Sequence, residues 1–403
     1  MNTTTVQVYV NQKVAGLLTR EGRDYVFTYQ TTDPSCFVSL TMPVRNKSYV
    51  FPRDQLHPIF NQYIPEGYLF EIFKAFLSKE VGELDELTLL AVLAPSIKGR
   101  LTFSAVDMPP SLIEKVSPSK SPEPLLLDEL IHREDDLFEE LLERFLYRSA
   151  IGGIQPKVLG VLRDKVNLCM DDYIIKTSGE AYPFLTVNEY FCLQAARYAG
   201  LPVPEFFLSD NQKLLIIKRF AGDKNPAVGF EEMAVLLGKT NRQKYEGSYE
   251  QIARAISLFT GPSETRGSLE QYFMLMVLMV LLRNGDAHLK NFGVLYGTGQ
   301  RDCRLAPPYD LVTTTCYLPH DTPALTLFGR KSWWNKKRLF HFAEQYCMMT
   351  PRRSAELWDS CISAVSRVRR ELMRYCTEHP DFREIGERML QDWQIGEKAN
   401  GNI

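Results

Sequence analysis

None of the eight cysteines in this 403-residue chain (Cys36, Cys169, Cys192, Cys303, Cys316, Cys347, Cys361 and Cys376) stands at CxxC spacing to another, and no regular interval relates them. That excludes a zinc ribbon and a disulfide framework, and a reducing, cytoplasmic location is expected. Long apolar runs are missing too. The longest, Tyr272 to Leu282, covers eleven residues, against the roughly 20 that a membrane-spanning helix needs. The stretch Met1 to Thr5 has neither the basic start nor the apolar core of a secretory leader, so no membrane role is expected. An excess of either charge is also lacking, because 47 Lys and Arg face 49 Asp and Glu for a net charge of -2. A protein that coats nucleic acid with its whole surface is thereby excluded; such a role would be local or supplied by a partner.

What remains is an ordinary globular composition, 45% hydrophobic and 24% charged, on a chain long enough for two or three domains or lobes. No internal repeat or low-complexity tract is present. Early alternating runs, Val6 to Val10 and Phe37 to Met42, predict a small antiparallel sheet followed by one or two helices. Three prolines and three serines between Val116 and Pro124 mark a linker. Helical spacing returns from Leu125 to Tyr147. Strands are expected at Lys157 to Leu162, Tyr173 to Lys176 and Leu214 to Phe220, and a helix from about Val187 to Tyr198 that stops at Gly200 and Pro202. Beyond Phe230 the pattern is mostly helical, apart from a hairpin around Phe292 to Leu305.

Directly behind the apolar run stands Leu282-Arg283-Asn284-Gly285-Asp286-Ala287-His288-Leu289-Lys290-Asn291-Phe292, a polar cluster mounted on a buried helix. Phosphoryl transfer needs a carboxylate for the attacking hydroxyl, metal ligands that bridge phosphates, and a cation on the non-transferred phosphates. Asp286 and Asn291 have the Asp-to-Asn spacing of a kinase catalytic loop. The pattern G-D-x-H-x-x-N also resembles the loop of aminoglycoside and choline phosphotransferases. Asp310, in Tyr309-Asp310-Leu311, falls where a second metal-binding Asp would stand, so Asn291 and Asp310 are the candidate Mg2+ ligands. Upstream, Lys176 ends a strand and Glu189 follows on a helix, as in a kinase Lys-Glu pair. Glu189 could instead close a capping box on Thr186, and Lys176 could be a solvated strand end. His288 is either a brace for the loop or a phosphate contact. His320 and His341 are read as surface or packing residues. Arg330 to Arg338 interleaves two tryptophans with five cations, which fits either a nucleic-acid contact or the solvated start of a helix whose aromatics face the core.

The stretch Ser149-Ala150-Ile151-Gly152-Gly153-Ile154-Gln155-Pro156-Lys157 resembles the phosphate loop of the HipA family of bacterial toxin kinases. Other segments agree in order: Asn188-Glu189-Tyr190, Gly200 to Pro204, Lys218-Arg219-Phe220, the loop around Asp286, and Tyr309-Asp310-Leu311. Ile64-Pro65-Glu66-Gly67 and Lys98 to Phe103 resemble that family's N-terminal subdomain. The resemblance implies an α+β, two-lobed protein-kinase-like fold with a β-rich N-terminal lobe and a mostly α-helical C-terminal lobe. It divides the chain into an N-terminal subdomain (1–115), a linker (116–124), a nucleotide-binding part (125–220) and a helical catalytic lobe (221–403).

The resemblance further implies a serine/threonine protein kinase and toxin using ATP and Mg2+, with Asp286 catalytic. ATP contacts would come from Gly152, Gly153, Ile154, Gln155, Lys157, Lys176, Lys218, Phe220, His288, Lys290, Asn291 and Tyr309. Glu189 would play a supporting role. The implied partners are a helix-turn-helix antitoxin, operator DNA reached mainly through it, and a protein substrate such as an aminoacyl-tRNA synthetase. At the family's phosphoserine position this chain has Ala150, with Ser149 one residue out of register, so self-inactivation by that route is not expected. Lys218 departs from the glutamate common in relatives. A small-molecule phosphotransferase and an inactive pseudokinase serving as a corepressor are the competing readings.

Overall fold

The computed structural model describes residues 5–51, 55–81, 85–108, 126–132, 140–142, 166–170, 173–220, 228–297 and 302–398. The expected linker at 116–124, the strand at 157–162, most of the helix at 125–147 and the whole 149–157 loop lie outside them, including Ser149, Ala150, Gly152, Gly153, Ile154, Gln155 and Lys157.

The first sheet is antiparallel, in the order β4-β3-β2-β1-β5, from β1 (Thr5–Val10), β2 (Lys13–Glu21), β3 (Asp24–Tyr29), β4 (Tyr49–Phe51) and β5 (Leu101–Ala105). Alternation along β1 turns Val6, Val8 and Val10 inward. Helices α1 (Gly67–Val81) and α2 (Glu86–Leu93) contribute Phe73, Leu77, Leu87 and Leu90 to the same core. Asp85 caps α2 by accepting the Thr88 N–H at 2.7 Å.

Residues 37–42 alternate as a strand would, yet they form a loop after a 3-10 turn at Pro34–Cys36, closed by a single bridge between Ser39 and Met42. The alternation has another cause: Phe37 and Leu40 enter one hydrophobic core, Val38 and Met42 the other. Side chains from elsewhere bond the backbone that a ladder would have served. Glu231 accepts from the Leu40 N–H and the Ser39 hydroxyl, both at 2.8 Å, and Tyr29 accepts from the Val38 N–H at 2.9 Å while donating to Met42 O.

A second antiparallel sheet runs β6-β7-β9-β8, from β6 (Val166–Met170), β7 (Tyr173–Thr177), β8 (Phe206–Leu208) and β9 (Leu214–Lys218). Ile175, Leu214 and Ile216 point from it into the N-terminal core, whereas Leu215 and Ile217 join the larger core beyond. The third sheet, β10 (Gly229–Glu232), β11 (Gly293–Tyr296) and β12 (Arg304–Leu305), contains the expected hairpin after Phe292.

The rest is helical: α3 (Leu185–Tyr198), α4 (Tyr249–Phe259), α5 (Thr265–Leu281), α6 (Lys336–Tyr346), α7 (Pro351–Glu378) and α8 (Arg383–Lys398). Every residue of α5 from Tyr272 to Leu281 is buried, so it is apolar all round because neighbours cover all its faces. No helix among the described residues is long and apolar enough to cross a membrane. Gly396 of α8 lies so close to the end of α5 that an added Cβ would press on the carbonyls of Val280 and Leu281. Trp334 is buried, and Arg283 rests over the Trp333 ring at 4.1 Å, so the aromatics of 330–338 face inward ahead of α6, which Asn335 caps.

Candidate active site

The polar turn begins where α5 ends. Asn284, almost fully buried, donates its N–H to Met279 O at 2.9 Å and accepts the Asp286 N–H on its side-chain oxygen at 3.1 Å. The Gly285 N–H donates to the Thr314 hydroxyl at 2.8 Å, and the Tyr249 hydroxyl donates to Ala287 O at 2.9 Å. Asn291 closes the turn, its carboxamide oxygen accepting the His288 N–H at 2.9 Å. The buried stretch of α5 from Tyr272 to Leu281 is thus a rigid mount, and Asp286 is placed by bonds to its neighbours on both sides.

Asp310 sits in left-handed backbone at φ 52°, uncommon for a residue with a Cβ. Segments around it hold that conformation. Its N–H donates to Glu189 at 3.1 Å; Asn188 bonds the Thr313 backbone through both amide atoms (2.8 and 2.9 Å); and Trp393 of α8 donates to the Thr313 hydroxyl at 2.7 Å. Glu189 in turn accepts from Lys176 Nζ at 2.6 Å, and the same ammonium binds Asp310 Oδ1. Asn291 Nδ2 reaches Asp310 Oδ2 at 3.4 Å. Lys176, Glu189, Asp310 and Asn291, from β7, α3 and two loops, therefore form one connected group.

The capping-box reading of Glu189 does not hold. Helix α3 starts at Leu185, its cap residue is Phe184 without a side-chain bond, and the Thr186 hydroxyl donates to Gln212 O instead. His288 is buried with its ring edge-on to Tyr245, and burial pushes its pKa down to about 4, so it is neutral at physiological pH. Lys290 turns toward Glu66, while its carbonyl accepts from the Tyr309 hydroxyl at 2.7 Å. Tyr309 and Phe230 pack with Phe220. Lys218 ends β9 with its side chain paired to Glu205 at 2.6 Å in solvent.

Two cavities meet at Asp286. A cleft of about 630 Å³ contains Glu66, Glu232, Lys244, His288, Lys290, Asn291, Tyr309 and Asp310. A second, of about 460 Å³, is walled by Tyr182, Leu185, Tyr245, Thr314, Tyr317, Leu318, Asp321 and Lys331. Among the described residues Asp286 alone lines both. The Tyr245 hydroxyl donates to Asp286 Oδ1 at 2.9 Å. Sequence reading missed Tyr245, Lys244 and Glu232, which carry no motif, and gave Glu66 no role although Pro65-Glu66-Gly67 drew attention to it. Burial pushes Glu232 up to about 7, only partly offset by Lys290.

The match to known families decides the chain's affiliation. Residues 6–104 match the HipA N-terminal domain and residues 149–369 the HipA-like C-terminal domain. The chain belongs to the HipA family. Similar proteins include "Putative kinase Y4dM" of Sinorhizobium fredii, 26% identical over 298 residues (68% of this chain, 66% of that one). "Putative kinase Y4mE" of the same organism is 24% identical over 91% of this chain and 92% of its own length. A Haemophilus influenzae protein named "Putative kinase" is 32% identical over 189 residues, 42% of this chain and 53% of its own. The chain thus spans about two thirds of the first of these relatives and about half of the last. Among solved structures, HipA of Shewanella oneidensis, determined with HipB and operator DNA, superposes with a TM-score of 0.67 at 14% identity, covering 99% of this chain and 100% of that one. The fold is that of HipA: β-rich in its N-terminal region and helical in its C-terminal region.

Proposed function

We propose that this HipA-family chain is an ATP-dependent serine/threonine protein kinase that acts as a toxin. The observation that carries the proposal is the buried Lys176-Glu189 pair reaching Asp310 beside Asp286 and Asn291. Such an array positions phosphates and an attacking hydroxyl without covalent chemistry on the protein.

In this reading the triphosphate lies in the cleft lined by Lys290, Asn291 and Asp310, the last of which Lys176 binds. The acceptor hydroxyl enters from the cavity on the other side of Asp286. Its oxygen bonds to the γ-phosphorus, the bond from that phosphorus to the bridging oxygen breaks, ADP leaves with the electron pair, and Asp286 takes the hydroxyl proton. One carboxylate and one carboxamide, Asp310 and Asn291, are oxygen donors that suit Mg2+, which takes the rest of its shell from phosphates and water. When bound it would neutralise phosphate charge; Lys176 and Glu189 would orient Asp310 toward it. Phe220 and Tyr309 form an aromatic surface suited to a nucleobase.

The partners proposed are a small helix-turn-helix antitoxin, with operator DNA reached through it, and a translation component such as an aminoacyl-tRNA synthetase as substrate. The support is the family and the fold shared with Shewanella HipA, whose structure includes HipB and operator DNA. The test is induced expression in bacteria together with radiolabelled ATP added to a lysate. Growth arrest with one labelled protein band, both lost in Asp286→Asn, is expected. Arrest or repression without labelling would favour the corepressor, and label in small molecules only would favour a small-molecule phosphotransferase.

A further inference from the structure

Glu66 belongs to the N-terminal subdomain, at the turn that leads into α1, yet it lines the same cleft as Asp286. One of its carboxylate oxygens accepts from Lys290 Nζ and the other from Lys244 Nζ at 2.8 Å. Lys290 also donates to Asn241 Oδ1 at 3.0 Å and faces Glu232 at 3.8 Å, so three separate segments hold its ammonium. Asn241 is fixed by the same subdomain: its N–H donates to Asn61 Oδ1 at 2.9 Å and its amide to Asn61 O at 3.3 Å. Lys244 completes the circuit, because its carbonyl accepts the Leu289 N–H at 3.1 Å.

Lys290 lies between Asp286 and Asn291 in the chain, and His288 ties both ends of that stretch into one turn, its N–H donating to Asp286 O at 2.8 Å and to the Asn291 carboxamide oxygen at 2.9 Å. A displacement of Lys290 therefore shifts both neighbours. We propose that Glu66 is a positioning residue of the active site, by which the N-terminal subdomain fixes Lys290 and Lys244 and so sets the geometry of the loop from Asp286 to Asn291. The catalytic C-terminal part is incomplete without it. The alternative role, an anion that merely occupies cations meant for phosphate, does not account for Asn61, an uncharged residue of the same subdomain that holds Asn241, which in turn accepts from Lys290. Lys290 is also largely covered, 14% exposed as a side chain, so its pairing is not the loose surface kind that contributes little.

The inference rests on the proposed role of the Asp286 loop. Its test uses the full chain with Glu66→Gln, Glu66→Asp, Lys290→Met and the double variant Glu66→Gln/Lys290→Met. ATP turnover and hydrogen–deuterium exchange are measured on each. Glu66→Gln should lower kcat about tenfold or more while KM for ATP stays within about twofold, since small misplacements of reacting groups are costly. Glu66→Asp should recover part of the loss. In the Lys290→Met background Glu66→Gln should add little, because the coupling runs through Lys290. Exchange should quicken at residues 286–292 in Glu66→Gln and stay unchanged in α7. Tighter ATP binding with unchanged kcat would overturn the proposal in favour of an occluding anion; unchanged kcat and unchanged exchange would overturn it outright. If the unsubstituted chain does not turn over ATP, the kinase reading falls, and the exchange comparison alone decides whether Glu66 positions the loop.

Discussion

Lys176 Nζ and Glu189 Oε1 meet at 2.6 Å with only 6% and 2% of their side chains exposed, and the same ammonium reaches Asp310. Removing one partner of a buried ion pair leaves an uncompensated charge, at a cost of about 3–5 kcal/mol. Lys176→Met should therefore lower stability by roughly that amount, seen as a reduced urea midpoint. A loss within the small range typical of surface pairs would mean that the pair is open to water.

Asp286 is held by Tyr245 and Asn284, whereas Lys176 is bonded to Glu189 and Asp310. Asp286→Asn should consequently leave ATP binding, followed by calorimetry, near that of the parent while phosphoryl transfer falls by about 10²- to 10⁴-fold. Tyr245→Phe removes one hydrogen bond to the carboxylate without touching the backbone turn and should cost far less. If Asp286→Asn transferred phosphate at the parental rate, another group would have to accept the proton.

The site was legible in the sequence where chemistry is local. Asp286, His288 and Asn291 fall within one turn, so their spacing is their geometry, and Asp310 could be placed by its order after the hairpin. Helix α5 was legible because eleven apolar residues in succession have few alternatives. What was hidden depends on contacts between distant segments. Glu66 and Lys290 are 224 positions apart, and Tyr245 reaches Asp286 from a turn without a motif. Residues 37–42 show the converse: their alternation is real, but it serves two cores rather than the two faces of a strand, which no local pattern distinguishes.

Glu232 offers a test through pH. Burial raises its pKa from 4.5 to about 7, Lys290 offsets only part of this, and Glu66 and Asp310 add to the rise. Below pH 4.5 the group is protonated in both native and unfolded chains, and its contribution to stability is fully present. Between 4.5 and about 7 the native chain keeps a proton that the unfolded chain has released, so this contribution falls as pH rises and is lost once the folded pKa is passed. The difference amounts to roughly 3 kcal/mol at most. Glu232→Gln should flatten that part of the stability–pH curve relative to the parent, measured as urea midpoints at several pH values. Parallel curves for the two proteins would show that Glu232 titrates like an exposed carboxylate.

Gly285 provides the last prediction, and the reason lies in space rather than backbone freedom. A Cβ at this position would collide with the Asp321 carboxylate and approach the Thr314 hydroxyl at 2.9 Å. That hydroxyl accepts the Gly285 N–H at 2.8 Å and donates to Asp321 Oδ2 at 2.5 Å, so the three groups brace the turn immediately before Asp286. Gly285→Ala should force Asp321 aside, break this brace and lower kcat by about tenfold or more while leaving the fold intact, since only a turn at the edge of a cavity has to shift. Asp321→Ala alone should cost less, because the Gly285 N–H keeps its acceptor on Thr314. The double variant Gly285→Ala/Asp321→Ala should then be more active than the product of the single losses predicts, because removing the carboxylate frees the space that the new methyl needs. Losses that simply multiply would show that the methyl acts through Thr314 or the backbone, and that Asp321 does not set the position of the turn that carries Asp286.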